Sequence, residues 1–106
     1  MKAYKEFYQK INCHRIYRSG DLMSLSSPVE LIVLGINIYG MELINDKKLK
    51  EKDVLLLNLV MDGLPYDKVM VNVVAVEEYD QMNKYKLEFI GSKDRFHKAL
   101  HKYMEI

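Results

Sequence analysis

The chain has 106 residues and a formal net charge of +1, and 49% of its residues are hydrophobic and 29% charged. This length suits one domain, and the composition is typical of a globular protein and argues against disorder. No apolar run approaches the ~20 residues that a membrane-spanning helix needs, so membrane insertion is not expected. The near-neutral charge disfavours a nucleic-acid polymer as partner, because phosphate binding usually requires a clear positive excess.

Cysteine content and the N-terminal residues indicate the compartment. Cys13 is the only cysteine, which excludes an internal disulfide and fits a reducing environment. The first residues are too polar for the apolar core of a signal peptide. Together these features predict a cytoplasmic location.

Two segments precede the first predicted strand. Residues 1–12 place aromatic and aliphatic side chains at helical spacing, and the adjacent pair Phe7-Tyr8 does not fit strand alternation. This pattern predicts a short amphipathic N-terminal helix. Residues 13–28 mix basic groups with Ser, Gly and Pro, which predicts a basic loop.

The remaining segments predict a mainly β single domain. Apolar alternation and β-branched residues, with Gly, Pro and charged turns between them, predict antiparallel strands within residues 29–91. Such strands at short spacing are typical of a small barrel or sandwich. Residues 92–106 change to a spacing of three and four, which predicts a C-terminal α-helix whose apolar face covers an open end or edge of the sheet. The strand-like segments are 29–34, 41–44, 54–61, 68–79 and 84–91.

A basic cluster, "HRIYR", occupies residues 14–18. A guanidinium group can hold a phosphate or a guanine edge through two parallel hydrogen bonds, so Arg15 and Arg18 are candidate ligands for an anion. The alternative is a solvated basic segment without a ligand, which is common for surface charges.

The stretch "GINIYG" at residues 35–40 interrupts a buried strand pattern. Glycine inside a strand indicates a bulge, a bend or the close approach of another group. We expect Gly40 to adopt positive φ and Gly35 to allow a close approach. Asn37 offers both a donor and an acceptor, the pairing that reads a base edge. The alternative is a barrel corner in which Asn37 satisfies nearby backbone groups.

Metal binding and catalysis have little support in the sequence. His97 and His101 lie four apart on the predicted helix, but zinc usually needs three or four ligands and no neighbour completes the set. The sequence contains no nucleophile elbow, P-loop or dinucleotide fingerprint. We therefore expect no metal, no cofactor and no enzymatic activity.

The order of the segments resembles the PilZ domain, a bacterial six-stranded β-barrel module associated with cyclic di-GMP signalling. The family has R-x-x-x-R in its N-terminal loop and [D/N]-x-S-x-x-G at the start of the barrel, and the resemblance spans residues 14–104. In the first motif, His14 takes the position of the first arginine and Arg18 that of the second. Arg15 is a candidate substitute for the missing arginine.

The second motif corresponds to "GINIYG". Gly35 takes the acidic or amide position, Asn37 the serine position and Gly40 the final glycine. The resemblance implies that the two motifs together hold the phosphates and guanines of cyclic di-GMP. His14 and Gly35 depart from the pattern, since a neutral imidazole lacks the arginine fork and glycine has no side chain to pair with a base.

These observations lead to a hypothesis of a non-enzymatic signalling adaptor that acts through protein contacts, with cyclic di-GMP binding weak or lost. The exposed faces of the two terminal helices are the expected contact surfaces. One alternative is a functional cyclic di-GMP receptor that uses Arg15, Arg18 and Asn37. A further alternative is an unrelated small barrel that binds nucleic acid or another ligand. The sequence does not define the oligomeric state.

Overall fold

The strands of this chain close into an antiparallel barrel in the computed structural model, which describes residues 3–46, 49–91 and 95–105. Around the barrel the strand order is β1-β2-β3-β6-β5-β4, and β4 returns to β1. The predicted mainly β fold, a six-stranded barrel with a C-terminal helix, is confirmed. The elements are β1 (Lys5–Arg18), β2 (Asp21–Ile36), β3 (Gly40–Asn45), β4 (Val54–Met61), β5 (Leu64–Tyr79), β6 (Met82–Phe89) and α1 (Arg95–Met104).

The N-terminal helix predicted over residues 1–12 is wrong for residues 5–12, which belong to β1; residues 1 and 2 lie outside the described part. The pairing of β1 with β2 shifts register between Glu6 and Gln9. Burial still alternates through this part of β1, where Phe7 is buried and Tyr8 is exposed. The pair had suggested a helix because Tyr8 is an aromatic residue on the solvent-facing side of the strand.

The basic loop predicted over residues 13–28 is also wrong. These residues form the far half of a β1–β2 hairpin, in which Arg18 pairs with Asp21. Ser19 and Gly20 both have positive φ, at 53° and 83°, as expected for a two-residue hairpin turn that follows the twist of its strands. The polar residues that suggested a loop lie on these two paired strands, and β1 also pairs with β4 there through Ile16 and Tyr17.

Different segments cover the two ends of the barrel. At one end, α1 buries Phe96 and Leu100, and the Phe96 ring packs edge-on against Phe89 at 5.2 Å between centroids. At the other end, Leu49 is buried and its backbone N–H donates to the hydroxyl of Tyr85 at 3.3 Å. Among the described residues, no helix combines the length and apolar character that a membrane span requires.

Candidate functional site

Arg18 is held in an ion pair with a buried carboxylate. Its Nε donates to Oδ1 of Asp53 at 2.9 Å, and its Nη2 donates to Oδ2 at 2.7 Å. The Asp53 side chain is 1% exposed and that of Arg18 is 27% exposed. Oδ2 of Asp53 also accepts the backbone N–H of Lys50 at 2.9 Å. The pair therefore ties the tip of the β1–β2 hairpin to the connection before β4.

The charges of this pair stabilise each other. Burial acts to raise the pKa of Asp53, but hydrogen bonds from Arg18 and the Lys50 N–H, with the two positive charges, hold that pKa below its ordinary value. The pKa of Arg18 is raised, mainly by its hydrogen bond to Asp53. Both groups remain ionised at neutral pH, and the guanidinium fork is already engaged within the protein.

His14 and Arg15 occupy a different surface. Both are exposed on the outer wall of the barrel, where β1 faces β4. They line a depression of ≈ 360 Å³ to which β4 and β5 also contribute side chains. The lining residues are Asn12, His14, Arg15, Leu56, Asn58, Asp67 and Lys68.

The glycine-marked stretch forms a tightly fixed corner between β2 and β3. Oδ1 of Asn37 accepts the backbone N–H groups of Tyr39 and Gly40, each at 2.9 Å. The N–H of Asn37 donates to the carbonyl of Gly40 at 2.8 Å. A Cβ added at Gly40 would lie 1.7 Å from the carbonyl oxygen of Leu87, so only glycine allows β3 to approach β6 this closely. The Oδ1 of Asn37 thus serves the backbone of the corner.

A groove of ≈ 290 Å³ lies beside this corner. A Cβ at Gly35 would come within 2.8 Å of the Cβ of Tyr4, so Gly35 makes room for the tyrosine that forms one side of the groove. Burial, with the negative charges of Glu42 and Glu88, raises the pKa of Tyr4. The groove therefore combines two tyrosine rings with one carboxylate, Glu88, and one lysine, Lys86, and its lining contains no arginine. It is lined by Tyr4, Asn37, Tyr39, Gly40, Val74, Lys86, Leu87 and Glu88.

The basic cluster and the glycine corner lie at opposite ends of the β1–β2 hairpin. Gly35 pairs with Glu6 near the start of β1, whereas Arg15 pairs with Ser24 towards the hairpin tip. Nine steps of ~3.3 Å separate Glu6 from Arg15 along the strand, a path of at most roughly 30 Å. The depression lined by His14 and Arg15 and the groove beside Asn37 and Gly40 share no lining residue, so the candidate residues are divided between separate surfaces.

Sequence reasoning missed Asp53 as the partner of Arg18. Asp53 follows a run of alternating charges that is typical of a solvated connection, and Glu51 in that run is exposed. Its position directly before the buried strand β4 is the only sequence signal that sets Asp53 apart.

The two histidines of α1 differ in environment. His97 is buried against the ring of Phe89, with 5.6 Å between ring centroids, whereas His101 is exposed. No group of three or more His, Cys, Asp or Glu side chains in the described ranges is arranged to hold a metal ion.

Comparison of the chain with protein-family models, with characterised proteins and with solved structures gives no significant match.

Proposed function

We propose that this chain is a non-enzymatic, cytoplasmic bacterial signalling adaptor of the PilZ type, which acts through protein contacts and binds cyclic di-GMP weakly or not at all. The observation that carries the proposal is the separation of the basic cluster from the glycine corner along β1, where Arg15 pairs with Ser24 but Glu6 pairs with Gly35, and the two surfaces share no lining residue. The family resemblance requires these two motifs to contact one ligand. Here each of them makes separate contacts within the barrel.

The side chains available at each motif support weak binding. His14 lacks the permanent charge and the fork of an arginine, and Gly35 offers no group to a base. Arg18 donates to Asp53 through two nitrogens, so a ligand would have to replace a buried pair. Charge-assisted hydrogen bonds contribute about 1.5–3 kcal/mol each, so the loss of two lowers affinity by a factor of hundreds.

Exposed apolar side chains support the protein-contact role. Tyr39 is 58% exposed, yet its backbone is fixed on both sides: its N–H donates to Asn37 and its carbonyl accepts the N–H of Phe89 at 2.9 Å. A rigidly mounted, exposed tyrosine is typical of the residues that dominate binding energy at interfaces. The large exposed apolar residues are Tyr8, Leu22, Tyr39, Val60, Leu64, Met70, Val74 and Ile90.

The contact surface expected on an N-terminal helix has to be revised, because that segment is β1. Phe7 is buried and packs edge-on against Tyr103 of α1 at 5.9 Å between ring centroids. Phe7 therefore stabilises the docking of α1, while Tyr8 stays exposed.

Calorimetric titration of the purified protein with cyclic di-GMP at moderate salt tests the ligand half of the proposal. We expect no binding heat at micromolar concentrations. Micromolar or tighter affinity that is lost in Arg15→Ala would establish the receptor alternative instead. Arg15 is the appropriate target because it is exposed, whereas replacing Arg18 would leave Asp53 buried without its partner.

Affinity capture from the source cells tests the contact half. We expect a partner to be retained by the native chain and by Tyr8→Ser, and to be lost with Tyr39→Ser. Tyr8 is a matched control because it is also an exposed tyrosine, at 68%. If neither the native chain nor Tyr8→Ser captured a partner, the result would contradict the adaptor role.

A further inference from the structure

Strands β1 and β4 are joined at both ends of the surface that they share, and between these ends the Sγ of Cys13 donates to the carbonyl of Leu56 at 3.9 Å. Near the hairpin tip, Ile16 pairs with Leu55 and Tyr17 with Val54. At the other end the contact is made by a side chain: Nε2 of Gln9 donates to the carbonyl of Val60 at 2.8 Å, and its Oε1 accepts the Val60 N–H at 2.9 Å. We call the stretch between these points, residues 10–15 of β1 and 56–59 of β4, the seam. No ladder pairs join the two strands there, and both segments are fully described.

Gln9 shows what kind of group the edge of β4 accepts. A primary amide carries a donor and an acceptor, as a peptide group does, and can occupy both positions of a strand residue. The same chemistry is present along the seam in the exposed amides of Asn12 and Asn58. Both can form paired hydrogen bonds with the backbone of an extended chain.

The depression over the seam is partly fixed in shape. Lys68 lies in the left-handed conformation at φ 57°, and its N–H donates to Oδ1 of Asn58 at 3.4 Å. This contact ties the β5 residue to the β4 residue that lines the same depression. Because the backbone is set by these contacts, ordering the site on binding costs less than ordering a flexible loop.

The charges of the depression favour an anionic occupant. Arg15 and Lys68 are fixed cations, and Asp67 is the single carboxylate in the lining. The ion pairs found among the described residues involve none of these three. Positive charges without ion-pair partners in a groove attract and orient an acidic partner.

We propose that the seam binds an extended, acidic segment of a partner protein. Carboxylates of that segment contact Arg15 and Lys68, and its backbone pairs with the amides of Asn12 and Asn58. This inference rests on the proposed function, because it adds to the contact at Tyr39 a second, separate surface through which the adaptor holds a partner. Nucleic acid fits less well, since Asp67 would face its phosphates and the whole chain carries only +1.

The experiment uses a fluorescein-labelled peptide of alternating glutamate and valine, followed by anisotropy at low ionic strength. We expect Arg15→Gln/Lys68→Asn to weaken binding about tenfold, because each partly exposed ion pair contributes up to about a factor of five. Asparagine at position 68 tolerates the left-handed backbone. Asp67→Asn should tighten binding about twofold, a gain that misfolding would not produce.

Lys98→Gln/Lys102→Gln is the matched control, since it removes two exposed cations from α1. Binding that responds to this pair and not to the Arg15/Lys68 pair would overturn the seam assignment. Amide shifts of the ¹⁵N-labelled chain should concentrate within residues 12–15 and 56–58. A single-stranded oligonucleotide that binds more tightly than the peptide, with the same variant dependence, would replace the acidic segment by nucleic acid.

Cyclic di-GMP, titrated into the same ¹⁵N-labelled chain, separates the two proposals. If micromolar cyclic di-GMP shifted the amide resonances of residues 35–40, the proposed function would be overturned. Peptide binding away from the seam would overturn only the assignment of the seam.

Discussion

Removal of the Arg18 side chain is expected to destabilise the fold strongly and in a pH-dependent way. In Arg18→Ala, the Asp53 carboxylate, which is 1% exposed in the native chain, loses its two guanidinium donors and retains the Lys50 N–H. Loss of one partner of a buried pair costs about 3–5 kcal/mol. Because Arg18 is 27% exposed, water reaches the pair, so we expect a loss of about 2–4 kcal/mol at pH 7.

The sign of the pH dependence follows from the lowered pKa of Asp53 in the folded chain. A carboxyl whose folded pKa is depressed adds stability above its unfolded pKa, about 3.9, and that stability is lost as pH falls through the folded pKa. In Arg18→Ala the burial that acts to raise this pKa is no longer outweighed. The penalty should therefore be largest at neutral pH. It should shrink as pH falls through the raised pKa of Asp53 in the variant, and further below about 4 as the native pair loses its own stabilisation.

Urea denaturation followed by far-UV circular dichroism, at pH 7 and pH 3.5, measures both effects. Arg15→Ala is the control, because that exposed arginine should change the free energy of unfolding by less than about 0.5 kcal/mol. In Arg18→Ala/Asp53→Asn the buried charge is absent, so part of the loss should be recovered. A loss under about 0.5 kcal/mol in Arg18→Ala, or an equal loss at both pH values, would refute the reasoning.

Three further substitutions test other parts of the fold. Gly40→Ala should cost more than about 3 kcal/mol in urea denaturation, because its Cβ would lie 1.7 Å from a carbonyl oxygen of β6. Gln9→Ala should raise the hydrogen-exchange rate of the Val60 amide more than about tenfold, since its acceptor is lost. Tyr85→Phe should cost about 1–2 kcal/mol, because the buried N–H of Leu49 loses the hydroxyl to which it donates.

Each of these predictions has a result that would contradict it. A Gly40→Ala variant as stable as the native chain would mean that β3 and β6 are not in close contact. Val60 exchange that is unchanged in Gln9→Ala would mean that the glutamine amide does not complete the barrel wall. If Tyr85→Phe left the free energy of unfolding unchanged, the Leu49 N–H would have found another acceptor.

Much of the architecture could be predicted from local periodicity. Apolar and β-branched runs in β4 and in the second half of the chain predict strands, and a spacing of three and four predicts α1. Both patterns arise because one face of each element must be covered. The close approach predicted at Gly35 is confirmed, because a Cβ there would lie 2.8 Å from the Cβ of Tyr4. The positive φ predicted at Gly40 is wrong, since glycine is required there by the approach of Leu87 instead. Local patterns failed at Phe7-Tyr8, because Tyr8 is an apolar residue on the exposed face of β1, and such a residue conceals the alternation of a strand in the sequence.

The candidate site depended more on contacts between distant residues. Arg18 and Asp53 are 35 residues apart, and nothing in either local sequence identifies the other as its partner. The sequence places the basic cluster and the glycine corner in the order of a ligand-binding family, but strand pairing decides whether they meet. Because β1 is one continuous strand from Lys5 to Arg18, it separates them along its length.

Composition and periodicity alone therefore determine a small β-rich domain with one amphipathic C-terminal helix, since burial of apolar faces is a local requirement. The register between β1 and β2, the ion pair of Arg18 and the open seam beside β4 are decided only in the tertiary structure. They depend on which backbone groups and charges from distant segments come within a few ångströms of each other. Those contacts keep the two motifs apart and place Arg15 beside the seam.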